Sequence, residues 1–465
     1  MDYQTAWDFL DRLQFFKIKL GLDSMTAFLR ELGNPHENLR YVHIGGTNGK
    51  GSVGVTLLSM LARAGYRVGF YTSPHLSSVR ERFRINDTYI PEQDFAEAAT
   101  RIHAILGGRQ ITYFEFTTAL ALLWFEKEKV DLAIMEVGLG GRLDATNVIV
   151  PLVSVITNVS KDHEAYLGNT LAEIASEKAG IIKKRVPLVS CAGNDETDRA
   201  GMVLKVIRDA CSRQEAPLYL FGPDFYIEDT GTSWTYWGMK RQGCCKVRQT
   251  VTSISCRLAG AYQHCNVGIA LAVVELLVDA GFTVSDDAIR AALAEVHWPG
   301  RLEYFCMDKG LAGKVVCSEG ARRILLDGAH NPAGVESLKQ ALADEFDYNR
   351  LILVWGAMAD KDIANTLPGI ASMADTIILT RPESERSAPA EMLREKLPTA
   401  YRARAECINQ VAAALMRAAA VAAADDLICV AGSLYLVGEA RRMLLVLPNK
   451  TKKPLRNGSG LKNYC

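Results

Sequence analysis

The segment His43-Ile-Gly-Gly-Thr-Asn-Gly-Lys-Gly-Ser52 is the strongest indication of the fold class. The apolar run Leu39–Ile44 leads into these glycines and predicts a buried strand, and the apolar spacing after Ser52 predicts a helix. A glycine-rich loop between a strand and a helix turns its backbone N–H groups towards phosphate oxygens, and the helix N-terminus adds positive charge. The stretch therefore predicts a nucleotide-binding loop in an α/β fold.

Strand-like and helix-like patterns alternate on both sides of this loop. Short apolar runs separated by segments of helical periodicity predict a mainly parallel sheet that is covered by helices on both faces. Residues 222–257 differ, because short alternating runs rich in Gly, Thr, Trp and Tyr predict a small antiparallel excursion. Besides 39–44, the predicted parallel strands are 67–71, 131–137, 152–157 and 186–189.

A second series of strands and helices follows Trp298-Pro-Gly-Arg301, where Pro and Gly indicate a linker. We therefore predict two α/β domains, 1–297 and a smaller one at 298–449, followed by a basic tail at 450–465. The strands predicted for the second domain are 324–327, 351–355, 376–380 and 427–431.

Composition narrows the class of protein. With 49% hydrophobic and 23% charged residues, the 465-residue chain is neither a disordered nor a collagen-like protein. Its 53 basic and 53 acidic side chains cancel, so no overall field directs it to nucleic acid or to an anionic membrane. No apolar run reaches a spanning length, and the amino terminus does not read as a secretory signal. Eleven scattered cysteines without a C-x-x-C pair predict reduced thiols in a cytoplasmic protein. We also expect the protein to be a monomer.

Polar residues follow the predicted strands of the first domain. Within the loop, Lys50 is expected to reach the terminal phosphates and Ser52 to ligate magnesium. Ser73, Glu136 and His163 fall at the carboxyl ends of three strands, the edge at which open parallel sheets bind ligands. Each has a structural alternative: an ordinary Ser-Pro turn, a buried structural carboxylate and a core histidine, respectively. Glu136 is the strongest of the three, because a carboxylate in an apolar strand usually serves a cation.

The second domain repeats the pattern at its own strand ends. Asp327 and His330 follow one predicted strand, and Ser433 follows another. Two sheets that both present polar residues at their strand ends predict a cleft between domains in which parts of the substrate are held from both sides. By contrast, Lys178 reads on composition alone as a solvated helix residue.

Seven motifs in this order make the chain resemble the folylpolyglutamate synthases, which in bacteria are often also dihydrofolate synthases and belong to the Mur ligase superfamily. The resemblance covers about residues 5 to 445. The motifs are G-T-N-G-K-G-S, Y-T-S-P-H-L, E-V-G-L-G-G-R-L-D-A-T-N, D-H-x-x-x-L-G, S-E-K-A-G-I-I-K, W-P-G-R and L-D-G-A-H-N-P.

The resemblance implies an ATP-dependent ligase of folate biosynthesis and one-carbon metabolism. It implies a P-loop ATPase domain at 1–297 and a Rossmann-like glutamate-ligase domain at 298–449. ATP, two Mg²⁺ ions and a carbamylated Lys178 are the implied cofactors, with Lys50, Arg301 and His330 as further catalytic residues. The small-molecule partners are L-glutamate and dihydropteroate or a reduced folate.

The resemblance also implies a position for each ligand. The nucleotide-binding residues would be Thr47, Asn48, Gly49, Lys50, Gly51, Ser52, Asn266, Arg301 and Asp327. The metal ligands would be Ser52, Ser73, Glu136 and His163. The pteridine and glutamate substrates would meet Phe114, Gly140, Arg142, Asp144, His330 and Ser433. The chain departs from the family at Tyr262, where a histidine is usual, although Gln263 and Asn266 are retained.

Other readings of the motifs remain open. The enzyme could use only one of the two acceptors. A cell-wall Mur ligase would be expected to carry a nucleotide-sugar domain before the loop. Because the loop begins at Gly45, too few residues precede it here for such a domain. A non-catalytic nucleotide switch would explain the loop but neither Lys178 nor the second domain, and a small-molecule kinase would release ADP without forming an amide.

Overall fold

The computed structural model describes residues 1–13, 21–193, 198, 201–239, 250–308, 311–314 and 321–446. They form two compact units. The first comprises the described residues of Met1–Cys256 together with Gln263–Val296, and the second those of Arg257–Tyr262 and His297–Cys465. The basic tail expected at 450–465 lies outside the described residues.

The first unit is built on an eight-stranded sheet in the order β4-β3-β2-β5-β1-β6-β7-β8. From β2 to β8 all neighbours are parallel, which confirms the five strands predicted from the apolar runs; β8 at the other edge was not predicted. Antiparallel β3 and β4 extend one edge; with only three and two residues they are too short to show a pattern in the sequence. The strands are β1 Tyr41–Gly45, β2 Val68–Tyr71, β3 Phe83–Ile85, β4 Thr88–Tyr89, β5 Leu132–Glu136, β6 Val153–Ile156, β7 Leu188–Ser190 and β8 Leu218–Leu220.

Helices cover this sheet because most of them carry apolar residues at helical spacing. Two of them, α5 and α9, are apolar on nearly all sides and are therefore buried along most of their length. The helices of the first unit are α1 Tyr3–Arg12, α2 Asp23–Glu31, α3 Lys50–Arg63, α4 Glu92–Leu106, α5 Tyr113–Lys127, α6 Glu164–Leu167, α7 Leu171–Ala179, α8 Met202–Arg213, α9 Gln263–Asp279 and α10 Asp286–Glu295.

The antiparallel excursion predicted at 222–257 is a separate three-stranded sheet in the order β11-β10-β9. Its strands are β9 Tyr226–Asp229, β10 Trp234–Trp237 and β11 Thr250–Ile254.

A disulfide bond in the first unit departs from the expectation of reduced thiols. It joins Cys191, just after β7, to Cys265 in the first turn of α9, with their Cα atoms 6.6 Å apart. The 74 residues between them hide this proximity in the sequence.

The second unit contains a seven-stranded sheet in the order β13-β12-β14-β18-β15-β16-β17. The four predicted strands are present and parallel. Antiparallel β12 and β13 and parallel β17 add the edges, which sequence reasoning missed. The elements are β12 Glu303–Asp308, β13 Leu311–Lys314, β14 Arg322–Leu326, α11 Pro332–Asp344, β15 Leu351–Trp355, α12 Ile363–Ala371, β16 Thr376–Leu379, α13 Ala390–Lys396, α14 Thr399–Arg402, β17 Ala405–Cys407, α15 Val411–Val421, β18 Leu427–Ala431 and α16 Leu434–Val446.

Within the described ranges, no helix combines the length and the apolar character needed to cross a lipid bilayer.

Candidate active site

The predicted nucleotide loop lies between the end of β1 and the start of α3. Thr47 donates its backbone N–H to the Asn158 carbonyl at 3.0 Å, and Asn48 donates its own to Asn158 Oδ1 at 2.8 Å. The Thr47 hydroxyl accepts from the Ser160 N–H at 3.0 Å. The loop is therefore fixed by the segment that follows β6, its neighbour in the sheet.

Two glycines of the loop are required by its geometry. Gly49 has a φ of +84°, and a Cβ there would lie 2.4 Å from Asn266 Oδ1. Gly46 has a φ of +138°, and a Cβ there would lie 1.9 Å from Thr157 Oγ1. Only glycine fits both the backbone conformation and the space. The approach of Asn266 to Gly49 places the start of α9 against the loop.

Gly49→Ala is expected to weaken ATP binding by about tenfold or more and to destabilise the fold by about 1–2 kcal/mol, the cost of an alanine at positive φ. Isothermal titration and denaturant unfolding measure the two effects. Gly65→Ala is the matched control, since Gly65 has a φ of +94° but nothing within 4 Å of its β position. It should show the strain without the loss of binding. Equal ATP affinity in both variants would contradict the loop's role.

Lys50 and Ser52 begin α3. Lys50 Nζ donates to the carbonyls of Gly46 and Thr47, both at 3.0 Å, so its ammonium group lies over the mouth of the loop. Ser52 is 3% exposed in the first turn of the helix. Lys50 thus lies beside the loop, and two of its hydrogen-bond acceptors are neutral carbonyls, for which an anion is the stronger partner.

Glu136 closes the neighbouring strand β5 and is paired with Ile44 of β1 in the sheet register. Its side chain is 3% exposed. Its Oε2 accepts a hydrogen bond from the Thr72 hydroxyl and another, at 3.3 Å, from the Ser73 N–H. The structure therefore brings Ser73 and Glu136 together beside the nucleotide loop, and buried carboxylate and hydroxyl oxygens are donors suited to Mg²⁺.

Lys178 lies in the last turn of α7 and is 4% exposed, not solvated as composition alone suggests. Burial lowers its pKa to about 7, and the nearby positive charge of Lys50 acts in the same direction. Asp162 partly opposes the shift. The structure thus places two lysines close together beside the phosphate loop, and one of them is substantially neutral near pH 7.

His163 adopts a left-handed conformation before α6, with a φ of +53°, and its side chain is 39% exposed. The backbone N–H of His163 donates to Asp162 Oδ1 at 2.8 Å. No group of three or more His, Cys, Asp and Glu side chains able to hold a metal occurs in the described part of the chain. A metal ion beside the nucleotide loop would therefore need serine hydroxyl groups among its ligands, as in the set that the resemblance implies.

The glycine-rich loop after β5 is shaped by Asp144. This side chain is 6% exposed, and its carboxylate accepts the N–H groups of Gly138, Leu139 and Thr146 at 2.9–3.0 Å. Burial raises the pKa of Asp144, and these hydrogen bonds oppose the shift. Phe114 packs over the loop, its ring 2.5 Å from where a Cβ of Gly138 would stand. Phe114, Gly140 and Asp144 are therefore brought together, with Asp144 turned into the loop.

The second unit gathers its own polar group after β14. Asp327 Oδ2 accepts from the Leu302 N–H at 3.0 Å, and Oδ1 accepts from the Ala329 N–H at 2.9 Å. Burial raises the pKa of Asp327, and the positive charge of the neighbouring Arg301 opposes this shift. His330 Nδ1 lies 2.7 Å from the Gly328 carbonyl. Arg301, Asp327 and His330 thus form one cluster.

The hydrogen bond made by the Ser433 hydroxyl does not involve this cluster. It is 3% exposed, and its hydroxyl accepts the Leu436 N–H at 3.1 Å, which caps the start of α16. This contact explains the residue type by helix capping.

Asp327→Asn is expected to destabilise the second unit by about 1–3 kcal/mol, because an amide cannot accept both N–H groups and Arg301 loses its charged neighbour. It should also raise the KM for ATP if Arg301 contacts phosphate. Asp362→Asn is the control: Asp362 caps α12 by accepting the Asn365 N–H at 3.2 Å and Asn365 Nδ2 at 2.8 Å, but it is exposed, so water replaces the bond that the amide loses, and asparagine caps equally well. Denaturant unfolding and initial rates give both quantities, and equal stability of the two variants would contradict the argument.

Several residues with site contacts were not assigned a role from the sequence. The Thr72 hydroxyl donates to Glu136. Asn158 and Ser160 form hydrogen bonds that fix the nucleotide loop, and the charge of Asp162 acts on the pKa of Lys178. All four follow strands of the parallel sheet, so their place at its carboxyl edge was the available signal. Tyr262 lies near Arg301 and Asp327, and burial raises its pKa.

Family models match both parts of the chain. Residues 44–274 match the Mur ligase middle domain, and residues 313–434 match the Mur ligase glutamate ligase domain. A probable bifunctional folylpolyglutamate synthase/dihydropteroate synthase of Haloferax volcanii is 37% identical over 95% of this chain. This chain spans only about half, 50%, of that relative's length.

Other relatives match from end to end. The dihydrofolate synthase/folylpolyglutamate synthase of Bacillus subtilis is 31% identical, over 95% of this chain and 99% of its own length. The structure of Escherichia coli FolC with DHPP and ADP has a TM-score of 0.81 and 31% identity, over 95% of this chain and 97% of the other. A bifunctional folylpolyglutamate synthase/dihydrofolate synthase with Mn, AMPPNP and L-glutamate has a TM-score of 0.80 and 30% identity, over 96% and 99%. The chain therefore belongs to the folylpolyglutamate synthase/dihydrofolate synthase family of Mur ligases.

Proposed function

We propose that this protein is an ATP-dependent ligase that joins L-glutamate to the carboxylate of dihydropteroate, of a reduced folate, or of both. One observation carries the proposal most directly: Lys50, Glu136 and Lys178 lie close to the nucleotide loop, and the side chains of Glu136 and Lys178 are buried. Such a cluster serves the transfer of a phosphoryl group better than the mere binding of a nucleotide.

The first step activates the acceptor. A carboxylate oxygen of the acceptor attacks the γ-phosphorus of ATP, the bond to the bridging oxygen breaks, and ADP leaves with the electron pair. The product is an acyl phosphate. Lys50 stabilises the charge on the transferred group from the loop, and Arg301 is proposed to do so from the second unit.

Ser52, Ser73, Glu136 and His163 are proposed to hold two Mg²⁺ ions, which when bound would neutralise phosphate charge. Glu136 supplies a fixed carboxylate for this purpose, because the Thr72 hydroxyl and the Ser73 N–H orient it. The solved relative that contains Mn and AMPPNP supports a divalent metal at such a site.

Lys178 is proposed to be carbamylated. Its neutral amine attacks carbon dioxide, a new N–C bond forms, one C=O electron pair moves to oxygen, and the released proton goes to solvent. The lowered pKa makes the neutral amine abundant near pH 7. The modification replaces a second cation beside Lys50 with an anion, which removes a repulsion and provides oxygen atoms for a hard metal.

The second step forms the amide. The α-amine of glutamate attacks the acyl carbon, and inorganic phosphate leaves. His330 is proposed to orient the amine or accept its proton, with Ser433 near the glutamate. The loop from Gly138 to Asp144, with Phe114 over it, is proposed to receive the pteridine end of the acceptor. The relatives that contain DHPP or L-glutamate support this assignment of substrates. We further propose a cytoplasmic monomer, in keeping with the use of ATP.

The test supplies purified protein with ATP, magnesium and L-glutamate, and adds dihydropteroate or tetrahydrofolate separately. Product heavier by one glutamyl unit from both acceptors establishes a bifunctional ligase, and product from only one identifies a monofunctional synthase. Phosphate release without an acceptor and without a new amide would refute the ligase and favour a nucleotide switch. ADP formation with a phosphorylated acceptor as the final product would favour a kinase.

A further inference from the structure

The loop proposed to receive the acceptor is attached to the helical turn that carries Lys178. Arg142 of this loop donates its backbone N–H to the Glu177 carbonyl at 2.8 Å. Asn147 Nδ2 donates to the carbonyls of Arg142 and Gly180, at 3.0 and 3.1 Å. The contact is close, since a Cβ on Gly180 would lie 2.3 Å from Arg142 Cβ. Loop and helix end therefore share one packed surface.

A side-chain ion pair completes this attachment. Arg142 Nη2 lies 2.8 Å and Nε 3.2 Å from Glu177 Oε1. Glu177 Oε2 also lies 4.0 Å from the β position of Gly140, at the loop's turn. Arg142 was expected from the resemblance to meet the substrate, but its guanidinium group is bonded to the helix.

Glu177 and Lys178 are consecutive in α7 and point about 100° apart around the helix axis. Glu177 meets the loop, whereas Lys178 is buried among the charges beside the phosphate loop. The ion pair itself is partly exposed, at 55% for the Arg142 side chain and 24% for Glu177. An exposed pair adds little to global stability, so its role is better sought in the position of the loop.

We propose that Glu177 is a positioning residue for the acceptor: its pair with Arg142 holds the loop in register with the turn that carries Lys178. The inference rests on the proposed ligase function. It assigns to the pair the preorganisation of the loop that receives the acceptor, so that loosening the loop weakens acceptor binding and raises the KM for the acceptor.

The test compares Glu177→Gln with wild-type protein. Roughly a tenfold increase in the KM for the acceptor is expected, with the KM for ATP and the melting temperature unchanged. Glu215→Gln is the matched control, because Glu215 forms an exposed pair with Arg185 at 2.8 Å elsewhere in the same unit. It should change none of the three quantities. An unchanged acceptor KM in Glu177→Gln, or a general loss of stability, would overturn the proposal.

A double-mutant cycle separates indirect from direct action. If Arg142 acts through Glu177, Arg142→Ala and Glu177→Ala together should raise the acceptor KM no more than either alone. Additive effects would mean that Arg142 contacts the acceptor itself and would overturn the inference.

Amide hydrogen exchange gives a readout independent of ligation. Glu177→Gln should speed exchange across residues 138–144 but not in the nucleotide loop. Unchanged exchange refutes the positioning role even in a protein that makes no amide, whereas failure of the wild type to ligate refutes the proposed function alone.

Discussion

Lys50→Met is expected to lower kcat for ATP-dependent amide formation on the order of a thousandfold. Lys50 Nζ lies 3.0 Å from two carbonyls of the nucleotide loop, which keeps its ammonium group beside the proposed phosphate site. Methionine keeps the length and apolar stem of lysine but removes the charge that stabilises the phosphoryl group during transfer. Stopped-flow or steady-state phosphate release with both substrates measures the loss.

The control for this variant is Lys205→Met, which removes an exposed lysine paired with Asp209 at 2.8 Å. Its turnover should equal that of the wild type. The melting temperatures of both variants should lie close to the wild-type value, since the hydrogen bonds of Lys50 to Gly46 and Thr47 stay within the loop and its first helical turn. A Lys50→Met enzyme with more than a tenth of wild-type turnover would contradict the assignment of this residue.

Lys178→Met is expected to reduce turnover about a hundredfold or more while leaving the melting temperature unchanged or higher. A lysine that is 4% exposed loses solvation when it is charged, whether as an ammonium or as a carbamate, and methionine of similar shape removes this cost. A residue that only supports the fold would show the opposite combination. Thermal unfolding and turnover measured on the same preparation separate the two roles.

Carbon dioxide provides the control for carbamylation. Because burial lowers the pKa of Lys178 to about 7, the neutral amine increases as pH rises through 7, and carbamate formation should increase with it. Removing carbon dioxide from the buffer should lower wild-type activity, and bicarbonate should restore it. Native mass spectrometry should detect one added carbon dioxide at pH 8, absent in Lys178→Met. Wild-type activity that is indifferent to carbon dioxide would contradict the modification.

Most of the fold could be predicted because the apolar runs of parallel strands and the spacing of helices are local patterns. The strands at Tyr41–Gly45, Leu132–Glu136 and Leu351–Trp355 are fully buried and correspondingly apolar. The edge strands Thr88–Tyr89 and Ala405–Cys407 were missed because they are short and their pairing is non-local. The disulfide between Cys191 and Cys265 was missed for the same reason.

The candidate site could be predicted where a residue type conflicts with its local pattern. Glu136 in an apolar strand and Lys50 after glycines are such residues. Lys178 could not be found in this way, because a lysine near a helix end is ordinary and only the fold buries it. Thr72 and Glu177 were likewise missed, since their partners are 64 and 35 residues distant and their types are common on surfaces.

The proposed ligase activates a pteroate or folate carboxylate with ATP and transfers the acyl group to glutamate. The most direct test supplies an acceptor whose carboxylate carries heavy oxygen, together with ATP, magnesium and L-glutamate. We expect phosphate containing one heavy oxygen atom, in equal amount to a product one glutamyl unit heavier, because the acyl phosphate gives its bridging oxygen to phosphate. Unlabelled phosphate without a new amide would contradict it.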